Sequence, residues 1–186
     1  MDITMRVIAG KARSLPLKAP DGLGTRPTTD RIKETLFNML QTYIPDCVFV
    51  DLYSGSGAVG IEALSRGARK AYFVENASKP LSCIEENLAF TKCKDCAIVI
   101  KQDVTSALYN IYEKHVDVIF MDPPYDCEHE RHALEILKQM KYVDENTLIV
   151  VEASLKTDFD YVDDLGFTMV KEKKYKTNKH VFLSKK

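Results

Sequence analysis

The sequence predicts an α/β fold, in which a mostly parallel sheet carries helices on both faces. Short apolar runs rich in β-branched residues alternate with segments of helical periodicity from residue 47 onward. The chain has 186 residues, 45% of them hydrophobic and 28% charged, which suits one globular domain with a buried core. This composition excludes fibrous, wholly disordered and disulfide-scaffold proteins.

The first 41 residues are expected to form a small extension of the domain 1–186. Two β-rich runs, Met5–Ile8 and Ser14–Lys18, predict a small hairpin. Residues 28–30 then offer N-caps for a helix that continues through Gln41. The core of the domain is expected over residues 42–186.

The core is predicted to alternate strands and helices and to end in a hairpin, giving a seven-stranded sheet. The buried strands are predicted at Cys47–Leu52, Ala71–Glu75, Ala97–Lys101, Val116–Met121 and Thr147–Glu152. The helices between them are predicted at Gly57–Arg66, Pro80–Thr91, Ser106–Glu113 and Glu130–Met140. The C-terminal antiparallel hairpin is predicted from Gly166–Lys174 and His180–Ser184, joined by the polar turn Tyr175–Lys179.

Charge is divided unevenly along the chain. The overall net charge is −1, yet residues 1–33 carry +4, residues 171–186 carry +6 and residues 34–170 carry −11. The basic ends are either solvated termini or arms that hold a polyanion beside a site in the acidic body. Composition alone leaves both interpretations open.

The sequence gives no sign of a membrane, metal or redox role. No apolar run reaches the roughly 18 residues of a membrane span, and no secretory signal is evident at the start, so a cytoplasmic protein is expected. The five cysteines are expected to be reduced, and the Cys93/Cys96 pair lacks the partners of a zinc site. The four histidines, which are expected at the surface or on helices, are His115, His129, His132 and His180.

A glycine-rich loop follows the first core strand. Asp51-Leu52-Tyr53-Ser54-Gly55-Ser56-Gly57 leads directly into a helix, and Glu75 closes the next strand. Glycines let the backbone approach a ligand, and an acid at the second strand can accept hydrogen bonds from ribose hydroxyls. A dinucleotide site usually has no acid ahead of its glycines, whereas Asp51 suits the cationic amino-acid portion of S-adenosylmethionine. Methyl transfer is therefore favoured.

The fourth core strand delivers Asp122-Pro123-Pro124-Tyr125 to the edge of the sheet where ligands bind in open α/β folds. Two prolines extend the backbone and leave carbonyl oxygens free, so that they and the Asp122 carboxylate form acceptors for an –NH2 group. Tyr125 adds a ring on which a base can stack. The structural alternative is a Pro-Pro turn that ends a strand.

Together these motifs make the chain resemble the Rossmann-like class I S-adenosylmethionine-dependent methyltransferases of amino groups, and more narrowly the RsmD family of 16S ribosomal RNA guanine-N2 methyltransferases. The narrower resemblance rests on matching blocks in the family's order. These are Met5–Lys11, Thr25–Leu40, Asp51–Gly57, Gly60–Ala68 and Asp122–Tyr125.

The resemblance implies a guanine in 16S rRNA as substrate, presented on an assembled or assembling 30S subunit, and a monomeric enzyme without a metal. Asp122, Pro123, Pro124 and Tyr125 would form the catalytic motif. The cofactor would be held by Asp51, Tyr53, Ser54, Gly55, Gly57, Glu75, Asn76 and Asp103, of which Asp103 is alternatively a helix N-cap. RNA phosphates would be held by Arg6, Lys11, Arg13, Arg26 and Arg31.

Three other functions remain as alternatives. An adenine-N6 methyltransferase of DNA or RNA would use the same acceptor motif, although the chain leaves no room for a separate DNA-recognition domain. A nucleotide-dependent oxidoreductase would have no use for Asp122–Tyr125. A catalytically silent RNA-binding module is disfavoured by the intact Asp122 and Tyr125.

Overall fold

A computed structural model describes residues 5–20, 29–125 and 127–186. Seven strands form one sheet: β1 Val48–Leu52, β2 Lys70–Val74, β3 Ala97–Ile100, β4 Val118–Met121, β5 Leu148–Ser154, β6 Phe167–Lys174 and β7 Asn178–Lys185. Their order is β3-β2-β1-β4-β5-β7-β6, with β1 to β5 parallel and β7 antiparallel to both β5 and β6. The predicted fold class, including the C-terminal hairpin, is confirmed.

In the described part of the chain, five α-helices flank the sheet: α1 Asp30–Met39, α2 Ala58–Ser65, α3 Ser78–Phe90, α4 Val104–Ala107 and α5 His129–Leu137. Short 3-10 turns cover Lys94–Cys96, Leu108–Asn110 and Asp160–Val162. One apolar core joins α1, α2 and α3 to the sheet face that carries Phe49, Phe73 and Phe120. A second core joins α4 and α5 to the opposite face. Helices therefore cover both faces, as predicted.

The predicted helix Ser106–Glu113 is wrong in its bounds. The Asp103 side chain accepts a hydrogen bond from the Ser106 backbone N–H, so α4 begins at Val104, two residues earlier than expected. A 3-10 turn follows, and the backbone is extended again at Ile111. Local capping therefore sets the start of this element, while the apolar pattern alone overextends its end.

The N-terminal segment folds as a small hairpin against α2. Leu17 donates its backbone N–H to the Met5 carbonyl over 2.7 Å, and Arg6 and Pro16 form an antiparallel bridge. The Glu62 carboxylate, which is fully buried, accepts the backbone N–H groups of Ile8 and Ala9 at 2.8 and 3.0 Å. This buried acid therefore attaches the hairpin to the core.

Lys33 completes the same attachment. Its side chain is 1% exposed, and its ammonium donates to the Arg6 carbonyl over 2.5 Å and lies 3.5 Å from Glu62. Arg66 approaches the other Glu62 oxygen at 2.7 Å. Lys33 thus belongs to the buried interior, although it contributes to the net positive charge of the N-terminal segment.

Among the described residues, none of the helices has the length and apolar composition needed to cross a membrane.

Candidate functional site

Four carboxylates line one edge of the sheet, on the face covered by α1, α2 and α3. Asp51 in β1 is the register partner of Phe120 in β4, and Phe120 is the partner of Val150 in β5. Because paired residues of neighbouring strands point to one face and side chains alternate along a strand, Asp51, Asp122 and Glu152 share that face. Glu75, two residues beyond Phe73 in β2, extends the row.

The glycine loop after β1 takes an unusual backbone path. Tyr53, Gly55 and Gly57 have φ angles of 61°, 54° and 79°, in the left-handed region that favours glycine. Ser54 fixes the turn because its hydroxyl donates to the Asp51 carbonyl over 2.7 Å and its backbone N–H donates to Val74 over 3.0 Å. The loop thereby directs the start of α2 toward the edge of the sheet.

The loop has space for a ligand. A Cβ built on Gly55 would meet no atom of the described residues within 4 Å, whereas one on Gly60 would lie 2.4 Å from the Phe73 ring. Gly55 therefore faces open space, and Gly60 permits close packing of α2 on β2. Gly57 is the N-cap of α2 and has no side chain to bind its first amides, and of these amides the Gly60 N–H is bound by the Asp51 carboxylate.

Asp51 is buried and holds this loop against α2. The residue is 1% exposed, and its carboxylate accepts a hydrogen bond from the Gly60 N–H over 3.0 Å. Burial raises the pKa of Asp51 to about 7, with Glu75 adding to the rise and the Gly60 hydrogen bond opposing it. The observed role of Asp51 is thus to position the loop, and its contact with a cofactor stays a prediction.

Glu75 connects the glycine loop to the end of β2. One carboxylate oxygen accepts the Gly55 N–H over 3.1 Å, and the other accepts the N–H groups of Asn76 and Ala77 at 2.8 and 2.9 Å. The oxygen that accepts Gly55 has capacity for a further donor, whereas the other already accepts two. Glu75 therefore stands beside the open space at Gly55, as a ribose-binding acid would require, and Asn76 is exposed next to it.

Asp103 follows β3 and caps α4. Its carboxylate accepts from the Thr105 hydroxyl and, at 2.9 and 2.8 Å, from the Ser106 N–H and hydroxyl. These hydrogen bonds lower the pKa of Asp103 to about 2, and the bond from Thr105 contributes most. The capping alternative is therefore what the structure shows, and a contact with an adenine amino group remains a prediction.

The segment Asp122-Pro123-Pro124-Tyr125 follows the end of β4 and lies beside the glycine loop that follows β1. Asp122 is partly buried and Pro123 is buried, whereas Pro124 and Tyr125 are exposed, Tyr125 by 44%. Within residues 5–20, 29–125 and 127–186, no protein donor contacts the Asp122 carboxylate. Burial, with the charges of Glu152 and Asp51, raises the pKa of Asp122. An acceptor with unused hydrogen-bonding capacity thus stands next to an exposed aromatic ring.

Glu152 and His180 are site residues that the sequence analysis missed. His180 was expected at the surface or on a helix, but it is fully buried in β7, and its Nε2 lies 3.0 Å from the Glu152 carboxylate. The hairpin brings His180 inward because it is the register partner of Glu152. A sequence signal for Glu152 did exist: it is the acid that ends the predicted apolar strand Thr147–Glu152, at the same edge of the sheet as Asp122.

The predicted RNA-binding residues differ in whether their side chains are already paired with an acid. Lys11, Arg13 and Arg31 are exposed. Arg6 is also exposed but is paired with Asp30 at 2.8 Å. Arg26 lies outside the described residues.

No group of three or more metal-binding side chains occurs within the part of the chain that the structure describes. The five cysteines form no disulfide within the residues that the structure describes. Cys93 is buried in the turn after α3, and Cys96 is partly buried.

Comparison with known proteins finds relatives from different bacteria that carry the same name. The chain is 38% identical over 173 residues to Ribosomal RNA small subunit methyltransferase D of Haemophilus influenzae, covering 91% of this chain and 88% of that protein. It is 36% identical over 152 residues to the protein of the same name from Escherichia coli K12, covering 82% and 76%.

Solved structures show the same fold. The structure of yhhF from Escherichia coli, described as a methyltransferase, matches with a TM-score of 0.82 and 30% identity over 98% of both chains. A structure from Haemophilus influenzae, described as a methylase, matches with a TM-score of 0.81 and 32% identity, again over 98% of both chains.

The family described as Conserved hypothetical protein 95 matches residues 5–184, nearly the whole chain. The resemblance predicted from the N-terminal, glycine-loop and Asp-Pro-Pro-Tyr motifs is confirmed, and this chain belongs to that family.

Proposed function

We propose that this protein methylates the exocyclic N2 amine of one guanine in 16S ribosomal RNA, with S-adenosylmethionine as methyl donor. The observation that carries the proposal is the position of Asp122–Tyr125 at the end of β4, beside the glycine loop of β1. The names of the relatives as small subunit rRNA methyltransferases support the substrate class.

The cofactor half of the site fits S-adenosylmethionine. Gly55 leaves room for the methionine portion next to the first amides of α2, and Glu75 is placed for the ribose hydroxyls. Gly57 contributes the positive φ that the turn requires. Asp103 is the candidate acceptor for the adenine amino group. The cofactor supplies a methyl group on a sulfonium, which is already an activated leaving group, so the main contribution of the protein is to position the two reactants.

The acceptor half recognises an amine. The Asp122 carboxylate and the Pro123 carbonyl would accept the two N2 hydrogens of guanine, which orients the nitrogen lone pair toward the methyl group. The exposed ring of Tyr125 would stack on the base once it leaves the RNA stack. Orientation of this kind supplies up to about 7–11 kcal/mol in well-aligned systems.

RNA would be held by the basic ends of the chain, which flank the acidic body. Lys11, Arg13 and Arg31 are exposed at the N-terminal side, and Lys171 and Lys173 are exposed on β6. We place the reaction on an assembled or assembling 30S subunit, with the enzyme acting as a monomer.

The test is transfer of labelled methyl from S-adenosylmethionine to 30S particles lacking the modification, to naked 16S rRNA and to duplex DNA, with the product nucleoside identified by mass spectrometry. N2-methylguanosine in the particle is the expected result. N6-methyladenine would overturn the assignment of the base, and an absence of transfer despite measurable cofactor binding would overturn the assignment of the acceptor.

A further inference from the structure

Glu152 is the nearest neighbour of Asp122 in the adjacent strand. Met121 in β4 is paired in parallel register with Val151 in β5, so the next residues, Asp122 and Glu152, lie side by side at the end of the two strands. Strands are about 4.8 Å apart in this direction, and both side chains point to the same face. The residue proposed to accept the amine hydrogens therefore has a second carboxylate next to it.

The Glu152 carboxylate is fixed in place by hydrogen bonds to side chains of the C-terminal hairpin. The residue is 5% exposed, one carboxylate oxygen accepts from the Asn178 side-chain amide over 2.5 Å, and the other lies 3.0 Å from His180 Nε2. The Tyr175 hydroxyl contacts His180 Nδ1 at 3.1 Å and fixes the ring from its other nitrogen. These contacts leave Glu152 no freedom to turn away from Asp122.

A buried acid that has been given hydrogen-bond partners can be purely structural. Two features distinguish this one. It lies beside the proposed reacting carboxylate rather than in the apolar core. Burial raises the pKa of Asp122 and raises that of Tyr125 to about 12, and the charge of Glu152 adds to both rises.

We propose that Glu152, held by His180 and Asn178, is a positioning residue that makes Asp122 the acceptor of the proton released during methyl transfer. This inference rests on the proposed function. When the amine nitrogen bonds to the methyl carbon, the carbon–sulfur bond breaks with its electrons remaining on sulfur. The nitrogen then carries the positive charge and must lose one proton.

Asp122 is placed to take that proton because it contacts the same nitrogen in the proposed complex. A neighbouring negative charge increases the affinity of Asp122 for a proton, so Glu152 makes the transfer more favourable. Since Asp122 is partly exposed, the proton then leaves to solvent.

The charged and titratable groups that face Asp122 come from several elements. Asp51 lies on β1, Glu152 on β5 and His180 on β7, while Tyr125 follows Asp122 in its own loop. Tyr175, from the turn between β6 and β7, lies behind His180. Glu152 is the acid in direct register with Asp122, and substitution there changes the local charge by one.

The experiment compares Glu152→Gln, which removes the charge, with Glu152→Asp, which keeps it. Glu135→Gln is the matched control, because it makes the same chemical change at a half-exposed side chain of α5 that is paired with Arg131 at 3.4 Å. Two quantities are measured: the pKa of the Asp122 carboxyl by carbon-13 NMR in the protein alone, and kcat for methyl transfer against pH.

For Glu152→Gln we expect the Asp122 titration and the acidic limb of the kcat profile to move to lower pH by about one unit. The kcat at neutral pH should fall about three- to tenfold, with the KM for S-adenosylmethionine unchanged. Glu152→Asp and Glu135→Gln should keep the wild-type limb.

Equal losses of activity and stability in Glu152→Gln and Glu152→Asp, without a shift of the limb, would reduce Glu152 to a structural residue and overturn the inference. If Glu152→Gln does not fold, wild type alone decides: a kcat profile whose acidic limb lies at the ordinary Asp value of about 3.9, or that has no acidic limb, overturns the inference. A shifted Asp122 titration in a protein that transfers no methyl would support the coupling of the two acids while overturning the proposed function.

Discussion

At the scale of single residues, Asp51 shows how burial changes what a carboxylate does. Its only described donor is the Gly60 amide, and burial raises its pKa from 3.8 to about 7. Since the folded value exceeds the unfolded one, the folded state binds more protons between these values. Asp51 thus contributes stability that is full below about pH 4 and is lost as the pH rises through 7.

We therefore expect Asp51→Asn to flatten the dependence of stability on pH. Between pH 5 and pH 8, the free energy of unfolding of wild type should fall by about 2–3 kcal/mol more than that of the variant. Urea unfolding of both proteins at the two pH values measures this difference. Identical pH dependence in the two proteins would show that Asp51 is ionised throughout.

The sequence located most acids of the site but not all of their roles. Asp51, Glu75 and Asp122 were predictable because each ends or closes an apolar strand at the same edge of a parallel sheet. The hydrogen bonds of Asp51 to Gly60 and of Glu75 to Gly55 were not, since they depend on how the loop folds back. The contact between Glu152 and His180 depends on the hairpin register, which a sequence pattern defines only loosely.

At the scale of elements, the N-terminal hairpin depends on one buried acid. The Glu62 carboxylate accepts hydrogen bonds from two backbone amides of the hairpin and lies close to the cations of Lys33 and Arg66. Removing it would leave an uncompensated cation and two amides without their acceptor inside the protein. The family block that includes Lys33 and the block that includes Glu62 are thus brought together by a structural need.

Glu62→Ala should accordingly lower the free energy of unfolding by about 3–5 kcal/mol and release the hairpin. Urea unfolding gives the stability, and hydrogen exchange at the Ile8 and Ala9 amides reports the hairpin. Glu135→Ala, at a half-exposed side chain, serves as the control and should change little. Unchanged protection of the two amides in Glu62→Ala would contradict this account.

Apolar periodicity predicted the order and type of the main elements, because each buries one face or both. It failed at element ends, where side-chain caps and turns decide. Thr29 starts α1 as predicted, since its hydroxyl accepts the Ile32 N–H, whereas Asp103 starts α4 earlier than predicted. β7 also begins at Asn178 rather than His180, because the pairing with β5 continues to Ser154.

At the scale of the whole molecule, the sheet connects the proposed site to a basic edge. Asp122, Glu152, His180 and Lys173 occupy one row across β4, β5, β7 and β6. Lys173 is exposed at the end of that row, about 14 Å from Asp122 at three strand spacings. Lys171, the partner of Phe182, lies on the same face. Strand β6 is thus placed to hold RNA phosphates near the reacting base.

The double variant Lys171→Ala/Lys173→Ala should weaken RNA binding and reduce the slope of log affinity against log salt by about 1–2, while cofactor affinity stays unchanged. Lys174→Ala is the control, because Lys174 lies on the same strand and its ammonium is paired with Glu172 at 3.4 Å. Filter binding of 16S rRNA over a range of salt concentrations measures the slope. An equal effect of the control would mean that charge alone, without position, governs binding.

The central claim is that Asp122 acts on the amine acceptor and has no part in holding the cofactor. The most direct test measures S-adenosylmethionine affinity by calorimetry and methyl transfer to 30S particles in wild type and Asp122→Ala. The account predicts a dissociation constant within about twofold of wild type and a transfer rate lower by about 100-fold or more. A variant that binds the cofactor and retains near wild-type turnover would contradict it.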